Sequence, residues 1–247
     1  MYSRLDTKTI QDTTVQFYSR FCGVNLAELQ PGTHFICSAE RDKVLKGFGC
    51  KYTLFIFLKD GLSVVSYAPK YQNLIESLKK LSIDEIICAV EQKHKLKHMK
   101  LLIFHMERVT KYEKARILSL YDYPLYEKFF RTVNPSADPD GWLYGYFSEK
   151  ASKGYFTGYI KDGRLVSVCD APDMPYMQDK IQHTGVETLK EERRRGYARC
   201  VTALSVHNLI ENGICPQWEC EAENIPSFEL ARSIGYEQFG QAYILEE

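Results

Sequence analysis

The sequence lacks a net charge, since 32 basic residues balance 32 acidic ones. A chain that grips nucleic acid by its phosphates ordinarily carries a basic excess, so nucleic acid is not an expected partner. Long apolar runs are missing as well. The longest, such as Leu54–Leu58, fall far short of the roughly 20 residues a membrane helix needs, and no membrane partner is expected. The opening stretch MYSRLDTKTIQDTTVQF has neither an apolar core nor a small-residue cleavage site, which argues against a signal peptide. The eight cysteines show no disulfide spacing; Cys37, Cys88, Cys169 and Cys220 lie in or beside strand-like and helix-like runs. In a chain of 247 residues they read as buried free thiols in a reducing compartment. A cytoplasmic protein is the expectation.

What the chain does have is apolar bulk. Hydrophobic residues make up 45% of it, with 17 Tyr and 13 Phe, enough to close a sizeable core and to exclude disorder over most of the length. Thr14–Phe21 reads as a short helix and Thr33–Ala39 alternates like a strand. Tyr52–Pro69 reads as a hairpin around Asp60-Gly61, a dipeptide suited to a primed turn. Tyr71–Leu81 has helical spacing, and Ile83–Val90 resembles a strand. In the basic stretch Glu91–Lys100, His94 and His98 stand four apart, which would put both on one helical face. No acidic or cysteine partner lies close by, so a charged helix face is favoured and no metal is expected.

Beyond about Leu118 the texture changes. Tyr123–Gly141 offers a helix and a turn-rich break, and Trp142–Phe147 reads as a strand. Gly154–Pro172 is a second hairpin, turning at Asp162-Gly163. Its run KDGRLVSVCDAP echoes KDGLSVVSYAP at Lys59–Pro69. Such turns between β-branched runs are common, so convergence is favoured over an internal duplication. Ile181–Leu189 then reads as one strand, and Tyr197–Asn212 as a helix apolar around much of its circumference, stopped by Gly213. Pro216–Ala222 alternates as a strand, and Asn224 precedes a helix with Pro226 in its first turn and Gly235 as its stop. A last strand closes the sequence. The fold class is α/β, with a mixed sheet.

Between the Ile181–Leu189 strand and the buried helix runs TLKEERRRGYA. The first amides of a helix lack intrahelical acceptors, and its dipole places partial positive charge there. Gly196 allows a ligand to approach the backbone, and Arg193, Arg194 and Arg195 crowd full positive charges around the same point. An anion such as a pyrophosphate would relieve that crowding. A solvated arginine run covering a helix start accounts for the same residues equally well.

RRRGYA (Arg193–Ala198) resembles the Arg/Gln-x-x-Gly-x-Gly/Ala loop of the GCN5-related N-acetyltransferases, the GNAT superfamily. GVET (Gly185–Thr188) looks like that family's fourth strand, and WECEAENIPSFELARSIGYEQF like its next strand, helix and Gly-aromatic pair. The resemblance covers roughly Tyr123 to Glu247. It implies a GNAT domain at residues 119–247, preceded over residues 1–118 by a smaller N-terminal α/β accessory domain or degenerate relative. In such enzymes acetyl-CoA lies in a V-shaped opening between the fourth and fifth strands. Here the resemblance places the pantetheine arm on the backbone of Val186 to Thr188, and the pyrophosphate on Arg193, Arg194, Arg195, Gly196, Tyr197 and Ala198. Asn224 would bond the arm or orient the thioester, and Ser227 would reach the cofactor; ordinary helix capping explains Asn224 as well.

The reaction implied is transfer of an acetyl group to a primary amine of a small molecule or peptide. An amine with a pKa near 10 needs a proton acceptor at neutral pH. Glu187 is the favoured residue for that role, ahead of His183, Glu219 and Glu221. Many family members carry a tyrosine four residues before the Gly-aromatic pair as acid for the leaving thiolate, but Ala231 stands there in this chain. Tyr236 and Tyr243 are substitutes only if the fold brings them near. A non-catalytic acyl-CoA-binding sensor is the alternative that this departure leaves open.

Overall fold

Helix α1 (Thr7–Cys22) starts where Asp6 Oδ1 accepts the Thr9 amide at 2.6 Å, and stops at Gly23, left-handed at φ 72°. Its buried residues, Ile10, Thr14, Phe17, Tyr18 and Phe21, recur at helical spacing and make one apolar face. The computed structural model of the protein describes residues 5–105, 108 and 112–247. Strand β1 (Gly32–Cys37) follows, then the hairpin of β2 (Tyr52–Lys59) and β3 (Leu62–Tyr67). The hairpin turns on Asp60 and Gly61 at φ 46° and 79°, both positive as a two-residue primed turn requires.

Helices α2 (Gln72–Leu78) and α3 (Ile83–Glu91) cover one face of that hairpin through Ile75, Ile87 and Val90. Ile83–Val90, expected as a strand, is therefore α3. Ser82 and Glu85 decide it, because each side chain accepts from the other's backbone amide in a reciprocal cap. The basic stretch beyond is not a helix. His94 lies in the turn after α3 and His98 in strand β4 (Lys97–Phe104), so they share no helical face. His98 instead stacks on Tyr243 at 4.3 Å and its Nε2 meets Gln241 Oε1 at 2.7 Å. Among the described residues no group of His, Cys, Asp and Glu is arranged to hold a metal ion, and no helix is long and apolar enough to cross a membrane.

Strand β5 (Ala115–Ile117) and helix α4 (Tyr123–Val133) lead to α5 (Leu143–Ser152). Trp142–Phe147, expected as a strand, thus begins a helix. Its buried residues Leu143, Phe147, Lys150 and Ala151 fall at helical, not alternating, spacing, and Phe147 stacks on Tyr126 of α4 at 4.8 Å. The second hairpin, β6 (Thr157–Lys161) and β7 (Arg164–Asp170), turns on Asp162 and Gly163. There follow β8 (Ile181–His183), β9 (Gly185–Thr188), α6 (Tyr197–Glu211), β10 (Cys215–Glu221), α7 (Ile225–Ile234) and β11 (Tyr236–Glu246).

The strands form a mixed seven-stranded sheet in the order β1-β3-β2-β11-β4-β10-β8 and a four-stranded sheet in the order β5-β6-β7-β9. In the larger sheet β11 lies antiparallel between β2 and β4, and β4 lies antiparallel between β11 and β10. Strands from either side of residue 118 therefore interleave in one sheet. Phe17, Tyr18 and Phe21 of α1 pack with Phe55, Phe57, Trp218 and Tyr236 in the main core. Helices α4 and α5 pack on the smaller sheet through Tyr126, Phe129, Phe147 and Val168. Burying each of these large side chains contributes about 1.5–3 kcal/mol.

Candidate active site

The segment Ile181–Leu189, expected as one strand, passes from one sheet to the other. Its first part, β8, runs parallel to β10, with Gln217 opposite His183. Thr184 holds the last link, its amide and its hydroxyl both donating to Gln217 O at 3.1 Å. From Gly185 onward β9 pairs with β7 instead. Strands β9 and β10 therefore diverge from a fork at Thr184, and both lead toward helix starts at the same end. Such a crevice, at the carboxyl ends of parallel strands that part company, is where α/β sheets accept ligands.

The Leu189 amide donates to Val166 O of β7 at 3.0 Å. By the antiparallel alternation, the N–H and C=O groups of Val186 and Thr188 then point to the opposite edge, into the fork. Two side chains cover part of that edge. Arg193 Nε donates to Thr188 O at 3.2 Å, and Glu187 Oε1 accepts the Thr188 amide at 3.3 Å. Arg193 also donates to Glu187 at 2.9 Å. The loop beyond is left-handed at Arg194 (φ 65°) and at Gly196 (φ 82°), and curls the chain into the start of α6. Among the described residues no side chain caps that start; the first helical bond runs from the Cys200 amide to Gly196 O. A Cβ built on Gly196 would meet nothing within 4 Å. The loop thus sets uncapped amides beside open space at Gly196, with Arg193 and Arg195 close by in ion pairs with Glu187 and Glu192, a setting suited to an anion.

The four carboxyl and imidazole candidates separate by environment. Glu187 is half exposed and tied to Arg193. Burial pulls His183 down to about 4, leaving it neutral and weakly basic. Glu221 is exposed. Glu219 is tucked against α1, where Tyr18 Oη donates to its Oε1 at 3.0 Å. Burial pushes that carboxyl up to about 7.

Sequence reasoning passed over Asp170, the last residue of β7, which pairs with Gly185 just beyond the fork. It borders a cavity of about 380 Å³ between α4, α5 and the β7–β9 edge, walled by Tyr126, Phe129, Phe130, Trp142 and Tyr146. Trp142 and Tyr146 thus face this cavity. Phe156 is fully buried in the core, and Tyr144 is exposed.

The family model for GNAT acetyltransferases matches residues 64–245 of this chain. The chain belongs to that family. A curated relative, the uncharacterized N-acetyltransferase YdfB of Bacillus subtilis (strain 168), is 32% identical over 89 residues, 36% of this chain and 33% of that protein. The match thus spans about a third of that relative's length. A GNAT-family acetyltransferase from Colwellia psychrerythraea superposes with a TM-score of 0.54 at 13% identity, over 78% of this chain and 81% of the other. A GCN5-related N-acetyltransferase from Sphaerobacter thermophilus gives 0.52 at 13% identity, over 74% and 70%. Both show a shared fold.

Two further residues of this acetyltransferase have structural duties. Asn224 Oδ1 accepts the Ser227 amide at 3.2 Å and so caps α7. Ser227 Oγ accepts Trp218 Nε1 at 3.2 Å. Ala231, where many GNAT members carry tyrosine, is fully buried in the core that also holds Tyr236. The Tyr236 hydroxyl is buried, and among the described residues it makes no hydrogen bond of good geometry. Burial drives its phenol well above the ordinary tyrosine value, while the hydroxyl of Thr184 at the fork opposes the rise. Tyr243, by contrast, stacks on His98 in β4.

Proposed function

We propose that the protein transfers the acetyl group of acetyl-CoA to a primary amine of a small molecule or peptide, in a reducing cytoplasm. The observation that carries this reading is the fork of β9 and β10, with the outward backbone edge of β9 leading to the arginine-rich start of α6. The pyrophosphate would rest on the amides from Arg193 to Ala198, Gly196 giving it room and Tyr197 opening the helix. The arginines Arg193, Arg194 and Arg195 neutralise its charge. The pantetheine arm would take the backbone groups of Val186 and Thr188. Arg193 now occupies Thr188 O, so loading the cofactor exchanges that bond for one to phosphate.

Asn224 and Ser227 sit at the start of α7, the other helix that opens at this end. While Asn224 Oδ1 caps the helix, its amide NH₂ is a donor for the arm. Glu187 orients Arg193 at the edge. The thiolate formed on transfer has a pKa near 8.5 and leaves without an obligatory acid. The buried Tyr236 hydroxyl is the nearest thing to the missing helix tyrosine, as a donor toward the fork.

Calorimetric titration with acetyl-CoA, beside a Gly196→Glu variant, tests this. Micromolar binding by the parent and none by a folded variant supports it. A parent that does not bind acetyl-CoA overturns it. A protein that binds the cofactor yet acetylates no amine would be an acyl-CoA sensor.

A further inference from the structure

We infer that the cavity between α4, α5 and the β7–β9 edge receives the acceptor as a primary ammonium on an apolar body without an adjacent carboxylate, and that Asp170 anchors it and takes its proton. The inference rests on the acetyl-transfer reading and adds the acceptor's chemistry to it.

Position comes first. Asp170 pairs with Gly185, the first residue past the fork. A Cβ on Gly185 would overlap Asp170 Oδ1, so the carboxylate lies directly over the backbone where β9 leaves β10. Gly185 does not have a positive φ; what its missing side chain provides is room for that carboxylate. Tyr146 Oη donates to Asp170 Oδ2 at 3.4 Å and fixes its orientation.

The walls indicate the acceptor's body. Phe130 and Trp142 meet edge to face at 5.4 Å, and Trp142 and Tyr146 at 6.2 Å. Aromatic faces attract both apolar groups and cations. Among the described residues, the ionisable side chains lining the cavity besides tyrosines are Asp170 and Glu187, both acidic. An ammonium is welcome there, whereas the carboxylate of an α-amino acid would meet like charge, the nearby Arg193 and Lys150 being already paired with Glu187 and Asp173.

Proton acceptance fits the surroundings of Asp170. Burial raises its carboxyl to about 6. The Tyr146 hydroxyl and Lys150, both on α5, oppose the rise, and Glu187 on β9 adds to it. Lys150 is itself paired with Asp173 at 2.5 Å. Tyr126 of α4 also faces the group, held protonated by burial. Asp170 is thus ionised at neutral pH but more basic than a solvated aspartate. It takes one proton from the ammonium; the amine lone pair attacks the thioester carbon, the C–N bond forms and the C–S bond breaks. CoA leaves as thiolate and takes the second nitrogen proton, while Asp170 releases the first to solvent.

The test compares 2-phenylethylamine with L-phenylalanine, which differ by one carboxylate, as acceptors for the parent, Asp170→Asn and Tyr146→Phe. CoA release is followed by chromatography across the neutral pH range, and acetyl-CoA binding by calorimetry. The parent is expected to favour the amine over the amino acid by about tenfold or more in kcat/KM, with a rate rising through a group near pH 6. Asp170→Asn should bind acetyl-CoA as the parent does, yet lose roughly 10²–10⁴-fold in rate together with the acid limb. Tyr146→Phe should keep the limb and move it to higher pH. Equal use of the two acceptors, reaction with neither while acetyl-CoA binds, or a near-normal Asp170→Asn enzyme would each overturn the inference. Failure to bind acetyl-CoA would instead sink the transferase reading, and this one with it.

Discussion

Replacing Gly196 by Asp and, separately, by Asn isolates the electrostatic part of cofactor binding. Both side chains tolerate the left-handed φ of 82° better than other non-glycine residues, and both enter space with no atom within 4 Å. They differ by one negative charge at the start of α6. A carboxylate about 5 Å from a phosphate charge costs about 1 kcal/mol in water and about 3 at the effective dielectric of a protein surface. Each 1.4 kcal/mol is tenfold in affinity. Gly196→Asp should therefore bind acetyl-CoA about ten to a hundred times more weakly than Gly196→Asn, the gap narrowing as salt is added. Arg193, Arg194 and Arg195 temper the loss, since they attract the new carboxylate too. Isothermal calorimetry at two ionic strengths measures the gap. Equal affinity of the two variants would refute the placement of the pyrophosphate, because nothing else about them differs by a charge.

Other outcomes follow from the packing. Gly47→Ala should cost about 2 kcal/mol of stability or more, read as a lower urea midpoint, because φ is 79° there and the added Cβ would overlap the Asp173 backbone. Glu219→Gln should stabilise the protein relative to the parent at pH 8 more than at pH 5. The folded carboxyl is raised to about 7, so the folded state holds a proton that the unfolded chain has already released. The parent's stability therefore falls as pH rises from the ordinary carboxylate range through about 7, whereas the amide does not titrate; thermal melts at the two pH values measure the difference. A fragment beginning at residue 113 should not fold by circular dichroism, because it lacks β4 and leaves the edges of both β10 and β11 open.

The parts of the fold that were legible in the sequence carry strong local signals. Asp60-Gly61 and Asp162-Gly163 announce primed turns because few other dipeptides accept two positive φ values. Asn224, Pro226 and Gly235 mark α7 as plainly. The short apolar runs Ile83–Val90 and Trp142–Phe147 were misread as strands, since composition alone does not separate a buried strand from a buried helix. In the first, Ser82 and Glu85 held the answer. The arginine loop was legible as a candidate anion site. Asp170 was not, because its meaning comes from Gly185, fifteen residues away and on another strand. Nor was Glu219, whose raised carboxyl depends on a helix some two hundred residues upstream.

Strand β11 emerges from synthesis after every other strand of the seven-stranded sheet, yet its place is between β2 and β4. Until it inserts, the sheet cannot close, and two apolar strands present bare backbone edges to any other chain. Folding of this chain is therefore expected to wait on its latest strand in that sheet. A nonsense change that removes only the residues after Gly235 would spare the arginine loop and Asp170, and would still yield an aggregating chain rather than a weakened enzyme.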